Sequence, residues 1–363
     1  MSAFLAVLYP LSFLIVLSLV VIVHEFGHFW AARLSGVKVE EFSLGFGRIL
    51  WSHQDKKGTV WKVCLIPLGG YVKMFGDADA SSAAPDEAAK EFTEEEKKVS
   101  FPHQSLWVKA FISVAGPAMN YIFAIVLLTI FLSIFGMIVV PPVISDVSKG
   151  SAAEAAGILK NDRIISINGE TINEFADVRR FVQLNNVLNI VVSREGREVP
   201  LTARLSSENG GAVLGVQAMM SQEHFRSLSV PQAFVESLRE AWEITSDTII
   251  ILKRIILGQR SADDMRGPLG IAEASGDAAR GGVISFVLFL IQVSIGIGLV
   301  NLLPVPVLDG GHLLFYAVEG IIRRPISEKV QMIALNIGVG LLICLLILTS
   351  WNDIVRIFVR LFH

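Results

Sequence analysis

His24-Glu25-Phe26-Gly27-His28 is the run of this 363-residue chain with the plainest chemical meaning. On a helix, residues four apart share a face, so the two imidazoles can hold one Zn²⁺ ion between them in tetrahedral geometry. Glu25 then lies beside the ion, where its carboxylate can take a proton from an attacking water and pass it to a departing amine. The blander reading is two histidines and a glutamate reaching for the interface from a helix end. Here the three groups directly continue an apolar stretch, where an unpaired charge costs about 2.5 kcal/mol or more, and metal binding offsets that cost. Metal-assisted peptide hydrolysis is the chemistry these residues point to.

Two histidines do not complete a catalytic shell, which ordinarily has three protein ligands and one open position. The best third ligand is Asp309, in Asn301-Leu302-Leu303-Pro304-Val305-Pro306-Val307-Leu308-Asp309-Gly310-Gly311-His312. Pro304 and Pro306 break the helix there, and irregular backbone at membrane depth is tolerated where it lines a buried site. The alternative for Asp309 is an N-cap of a helix beginning at Gly310. Antiparallel spans put it level with His24 and His28, which favours ligation. His312 is a second candidate, read as supporting or structural because three ligands suffice. Asn301 could pack between helices, or its amide could hold substrate backbone or a developing oxyanion. The second role is preferred because it shares the broken segment with Asp309.

The elements that must carry these residues follow from composition. Hydrophobic residues make up 52% of the chain and charged ones 18%, with mean hydropathy +0.57, so the surplus apolar side chains must face a lipid bilayer. They gather in four runs long enough to span it, about 4–23, 111–140, 283–303 and 332–348. The first reads as a retained helix, since no charged region precedes it and no small-residue cleavage site follows. A net charge of −3 without a Lys/Arg block gives no field for nucleic acid. Cys64 and Cys344 lie too far apart in the pattern to expect a disulfide.

Lys and Arg crowd the loop after the first span, which places that loop in the cytoplasm and residues 141–282 outside. Alternation in 38–44 and 59–65, with Gly45-Phe46-Gly47 and Pro67-Leu68-Gly69-Gly70-Tyr71-Val72 between and after, predicts β-hairpins. The outer segment predicts a compact α/β domain, with an Asn168-Gly169 turn, a helix at 175–184 and strands at 188–193 and 198–205. Residues 230–257 predict an interfacial amphipathic helix. The expected order is first span 1–35, β segment 36–76, cytoplasmic linker 77–110, second span 111–140, outer domain 141–220 and amphipathic segment 221–282. The third span with its Leu-Asp-Gly motif follows at 283–312, then a loop at 313–330, the fourth span at 331–350 and a tail at 351–363.

Together these residues resemble the site-2 protease family of intramembrane zinc metalloproteases, of the bacterial regulator of sigma-E protease type. His24–His28, Asn301 through Gly310, and Ala115-Gly116-Pro117-Ala118-Met119-Asn120 are similar to that family's motifs, and the likeness covers nearly the whole chain. The resemblance implies a mostly α integral membrane protein with four transmembrane helices, a membrane-reentrant β-hairpin segment and one extracytoplasmic α/β PDZ domain. It also implies His24, His28 and Asp309 as ligands of one Zn²⁺ and Glu25 as catalytic base. Asn301, Gly45, Phe46, Gly47, Leu68, Gly69, Gly70 and Tyr71 would contact substrate, an unwound helix adding as a strand near 45–48 or 68–72. Implied substrates are single-span proteins already trimmed by another protease, such as anti-sigma factors or signal-peptide remnants, in a bacterial inner membrane. Asn161 departs from the PDZ pattern, which often has Gly there. The alternative is a catalytically inactive membrane PDZ scaffold, for which Glu25 would be dispensable.

Overall fold

The structure is a computed structural model and describes residues 2–76, 92–138, 140–208, 211–219, 225–259 and 266–362. The expected linker at 77–110 therefore lies partly outside the described residues. The chain opens with helix α1 (Ser2–Leu34), followed by strands β1 (Val39–Gln54) and β2 (Val60–Met74). Helices α2 (Glu94–Val99) and α3 (Leu106–Phe135) come next. Then follow β3 (Met137–Ile138), β4 (Ile144–Val147), α4 (Ala152–Ala156), β5 (Arg163–Ile167), β6 (Glu170–Thr171) and α5 (Phe175–Leu184). Strands β7 (Val187–Arg194), β8 (Arg197–Arg204), β9 (Ser206–Glu208), β10 (Gly211–Val213), β11 (Val216–Ala218) and β12 (Phe225–Arg226) lead to five helices. These are α6 (Val230–Ile256), α7 (Pro268–Arg280), α8 (Val283–Asn301), α9 (Asp309–Ile322) and α10 (Glu328–Phe362).

Among the described residues, four helices are long and apolar enough to cross a membrane: Val7–Leu34, Leu106–Phe135, Val283–Asn301 and Glu328–Arg356. Their ends differ from the apolar runs for local reasons. α1 continues straight through His24–His28, so the motif is helical throughout. α3 stops at Phe135 rather than near 140, because Gly136 turns to φ +69°, a conformation that favours glycine. α8 ends at Asn301, and Asp309 begins a separate helix whose N-cap is Leu308, so Asp309 is not the cap. The expected tail at 351–363 is helical as far as Phe362. Asp353, almost fully buried, accepts from the amides of Gly267 (3.2 Å) and Gly270 (2.7 Å), satisfying donors at the start of α7.

The chain divides into two compact units. In the first, β1 and β2 fold into more than a simple hairpin. Residues 41–44 pair antiparallel with 70–73, and on their other side lie beside 60–63 with numbers rising together, while 49–54 pair with 60–64. Each long strand therefore contributes twice, bending at Gly45 and Gly47 (φ +83° and +86°) and at Gly69 (φ +108°). Phe29, Phe42 and Trp61 pack edge to face or tilted, centroids 4.7 to 5.3 Å apart, and pin this sheet to α1. Arg33 at the end of α1 pairs with Asp55 in the turn. Burial acts to raise the Asp55 pKa, but hydrogen bonds from Trp61, Arg33 and two backbone amides outweigh it and bring it down to about 2. The bends carry exposed apolar side chains, among them Phe46, Leu50, Trp51 and Leu65, and the Ser18 hydroxyl, ten residues before His28 in α1, donates to the Pro67 carbonyl. Cys64 is buried in β2 and, like exposed Cys344, is free.

The second unit holds a sheet of order β6-β5-β7-β8 and the pair β4–β11. Ile144, Ile158, Ile164, Ile167, Val178, Leu188 and Ile190 form its core. Asn168 and Gly169 both take positive φ, as a two-residue hairpin turn requires. Asn161 stands at φ +69°; Asn tolerates this region better than other residues with a side chain. Its replacement of Gly thus keeps the backbone course.

Candidate metal centre

One face of α1 carries His24 and His28, and α9 brings Asp309 against them. His24 Nε2 lies 3.1 Å from Asp309 Oδ2, and His28 Nε2 lies 3.4 Å from Asp309 Oδ1. The two Nε2 atoms are 3.2 Å apart. Bonds of about 2.0–2.2 Å in a tetrahedron around zinc would separate ligand atoms by about 3.3 Å. The donor set, two imidazole nitrogens and a carboxylate oxygen all within 4.8 Å of one another, therefore fits a zinc ion in both chemistry and spacing.

The outer nitrogens of both rings are also held. His28 Nδ1 donates to the Ile112 carbonyl of α3 (2.8 Å), which leaves Nε2 with a free lone pair. Asn120, fully buried, presents its amide to His24 Nδ1 at 3.3 Å. With Nδ2 turned toward the ring, Asn120 Oδ1 is left buried without a partner. A ligating Nε2 requires the proton on Nδ1, and exchanging the amide oxygen and nitrogen gives that proton its acceptor.

Glycines set how closely α1 and α3 approach. A Cβ on Gly27 would run into the backbone of Ala115 and Gly116, and one on Gly116 would run into both histidine rings. The middle of the His24–His28 run and the Gly of Ala115-Gly116-Pro117 are thus two sides of one contact.

Glu25 is half-buried, and a Cβ on Gly70 would come within 3.4 Å of its Cγ. Residues 70–74 form a sheet edge, with no further strand paired to them among the described residues. A cavity of about 340 Å³ opens from the site, with Glu25, His28 and Asp309 in its wall together with Val72, Lys109 and His312.

The other residues expected to contact substrate are distributed unevenly. Phe46 stacks on Tyr71 (centroids 6.2 Å apart) and packs where a Gly69 Cβ would be, so the 45–47 and 68–71 bends meet. The Tyr71 hydroxyl is not free, because it donates to Glu41 (2.8 Å), which also pairs with Lys62 (2.6 Å). Burial and that carboxylate raise the Tyr71 pKa to about 12. Leu68 lies within the β2 strand. Asn301 ends α8 and does not line the cavity. Sequence reasoning assigned no role to Asn120, Gly116 or the Ile112 carbonyl. The first two stood in a matched motif; a backbone carbonyl carries no signal in the sequence.

Residues 12–345 match peptidase family M50. The chain is 37% identical to a protein of Agrobacterium fabrum and 39% identical to one of Rhizobium meliloti, each named "Putative zinc metalloprotease". These alignments span 95% and 94% of this chain and 95% of each relative. It is 35% identical to Metalloprotease MmpA of Caulobacter vibrioides, over 95% of both chains.

Proposed function

The chain belongs to peptidase family M50, and from that premise we propose that it is a multi-pass membrane zinc metalloprotease cutting single-span proteins in or beside their transmembrane segments. The observation that carries this reading is the convergence of His24, His28 and Asp309, with Glu25 and the sheet edge at Gly70 beside them. His24, His28 and Asp309 would hold one Zn²⁺. When bound, that ion supplies a Lewis acid that polarises the peptide carbonyl and acidifies water. Glu25 accepts the proton of the attacking water and delivers it to the departing amide nitrogen. His28 and His24 are oriented for this by Ile112 and Asn120.

A helical substrate hides its carbonyls in its own hydrogen bonds, so it must be extended before it is cut. The edge at 70–74 offers an unwound segment a strand to pair with, directly beside Glu25. Its position favours 68–72 over 45–48 as the docking edge. Exposed apolar bends and the Ser18–Pro67 contact, within the apolar stretch of α1, support a membrane-reentrant β segment. The second unit fits an extracytoplasmic PDZ domain that admits substrates already shortened by another protease. The basic loop after the first span supports a bacterial inner membrane orientation with the site toward the cytoplasm.

The test is a cell-based cleavage assay of doubly tagged single-span proteins. Glu25→Gln should abolish cleavage while zinc stays bound, and Asp309→Ala should lose both. Cleavage that survives both substitutions refutes the mechanism.

A further inference from the structure

Four polar side chains of α9, Asp309, His312, Tyr316 and Glu319, recur at spacings of three and four. They therefore lie along one face, and all four open on the cavity beside Glu25. Asp309 faces the two histidines of α1, and Glu319 accepts from the Ile326 amide (2.9 Å). His312 is different. It has ring contacts with Phe315 and Tyr316 (centroids 6.5 and 6.4 Å), yet among the described residues no hydrogen bond or ion pair reaches its nitrogens. A polar ring facing a cavity costs free energy until something in the cavity pairs with it.

Its place is fixed. Cβ atoms on Gly310 and Gly311 would collide with backbone of Leu302, Leu303, Val305 and Pro306, so the first turn of α9 is seated on the proline-broken segment and cannot rotate. That holds His312 about 4.5 Å along the helix axis from Asp309. It stands outside the cluster of ligand atoms formed by His24, His28 and Asp309, which by itself offers the three protein ligands a catalytic zinc ordinarily has.

Peptide hydrolysis gains from a hydrogen-bond donor on the carbonyl oxygen beside the Lewis acid that a bound ion would supply there. Negative charge grows on the carbonyl oxygen as water adds, and a donor aimed at that oxygen is worth about 10²- to 10³-fold in kcat. Asn301, the residue the sequence offered for this role, does not line the cavity. We propose that His312 is a further catalytic residue, whose neutral imidazole donates an N–H hydrogen bond to the oxygen of the reacting carbonyl. It gives up no proton and forms no covalent bond. This inference rests on the proteolytic reading of the site.

The experiment uses the full chain, purified in detergent, and a synthetic single-span peptide with an apolar core, a central Pro-Gly and a fluorophore–quencher pair. His312→Phe, which keeps the ring packing without the donor, should lower kcat by about 10²-fold or more, with KM within about threefold and one zinc retained per chain. His312→Gln, which restores an N–H, should recover at least about tenfold of that loss. If the Phe variant is not recovered folded, His312→Met takes its place as the donor-free variant. A donor-free variant within threefold of wild-type kcat, a loss confined to KM, a Gln variant no better than Phe, or loss of zinc each overturns the proposal. Failure of the wild type itself to cut the peptide, with Glu25→Gln no different, would strike instead at the proteolytic reading.

Discussion

Replacing Gly116 with alanine adds one methyl group to α3 and should cost the protein its metal. A Cβ at that position would sit 2.3 Å from His28 Nε2, 2.6 Å from His28 Cε1 and 2.9 Å from His24 Cε1, where 3.4 Å begins ordinary contact. The rings would have to withdraw by about 0.5 to 1.1 Å, whereas metal–ligand distances tolerate about 0.2 Å. Neither ring can move freely, because their outer nitrogens are tied to Ile112 and Asn120. A loss of at least 10- to 100-fold in zinc affinity is expected, the range seen when a supporting shell is disturbed, or about 1.4 to 2.8 kcal/mol. Alanine is the better helix former by about 1 kcal/mol, so weakened helicity cannot produce this result. The assay dialyses purified variants against graded zinc buffers and measures bound metal by mass spectrometry. Gly340→Ala is the control, since a Cβ there meets nothing within 4 Å. Zinc affinity within twofold of wild type for Gly116→Ala would show that the close approach of α1 and α3 does not set the site.

Two further outcomes are expected. Asn120→Leu removes the acceptor behind His24 and should weaken zinc binding by about 10- to 100-fold in the same dialysis; unchanged affinity would mean that the amide does not orient the ring. The Arg33–Asp55 pair ties the β1–β2 turn to α1, and its carboxyl has a folded pKa of about 2, below the usual value of about 3.9. Its stabilisation is therefore complete above about pH 4 and is lost as pH falls from there through about 2. In tryptophan-fluorescence melts the Tm gap between wild type and Asp55→Asn should close over that window. A gap that stays constant down to pH 2 would exclude the linkage.

Much of the site was legible because chemistry in an apolar setting is conspicuous. His24, Glu25 and His28 stand out against the apolar residues before them, and Pro304 and Pro306 mark where Asp309 could leave a helix. The supporting groups were harder to see. Gly27 and Gly116 look like ordinary small residues of membrane helices until the two backbones are set side by side. Asp353 ends an apolar run and so reads as the start of a tail, yet its partners are amides 83 and 86 positions away, a distance no local pattern conveys. The strands at 38–44 and 59–65 were signalled by alternation, but their double pairing depends on bends at Gly45, Gly47 and Gly69 that no periodicity encodes. Asn301 ends α8 outside the lining of the cavity, and a polar residue in an apolar span does not by itself say which wall it joins.

Drawing the carboxylate from α9 also sets a clock on the enzyme's birth. Asp309 follows His28 by 281 positions, so at about 5–20 residues per second roughly 15 to 55 s of synthesis separate the two histidines from their partner. Until then the proposed metal centre would lack its third donor, since two imidazoles alone leave the shell incomplete. A chain aborted before α9 would be inert by the same logic, and the cell would need no inhibitor to guard against it.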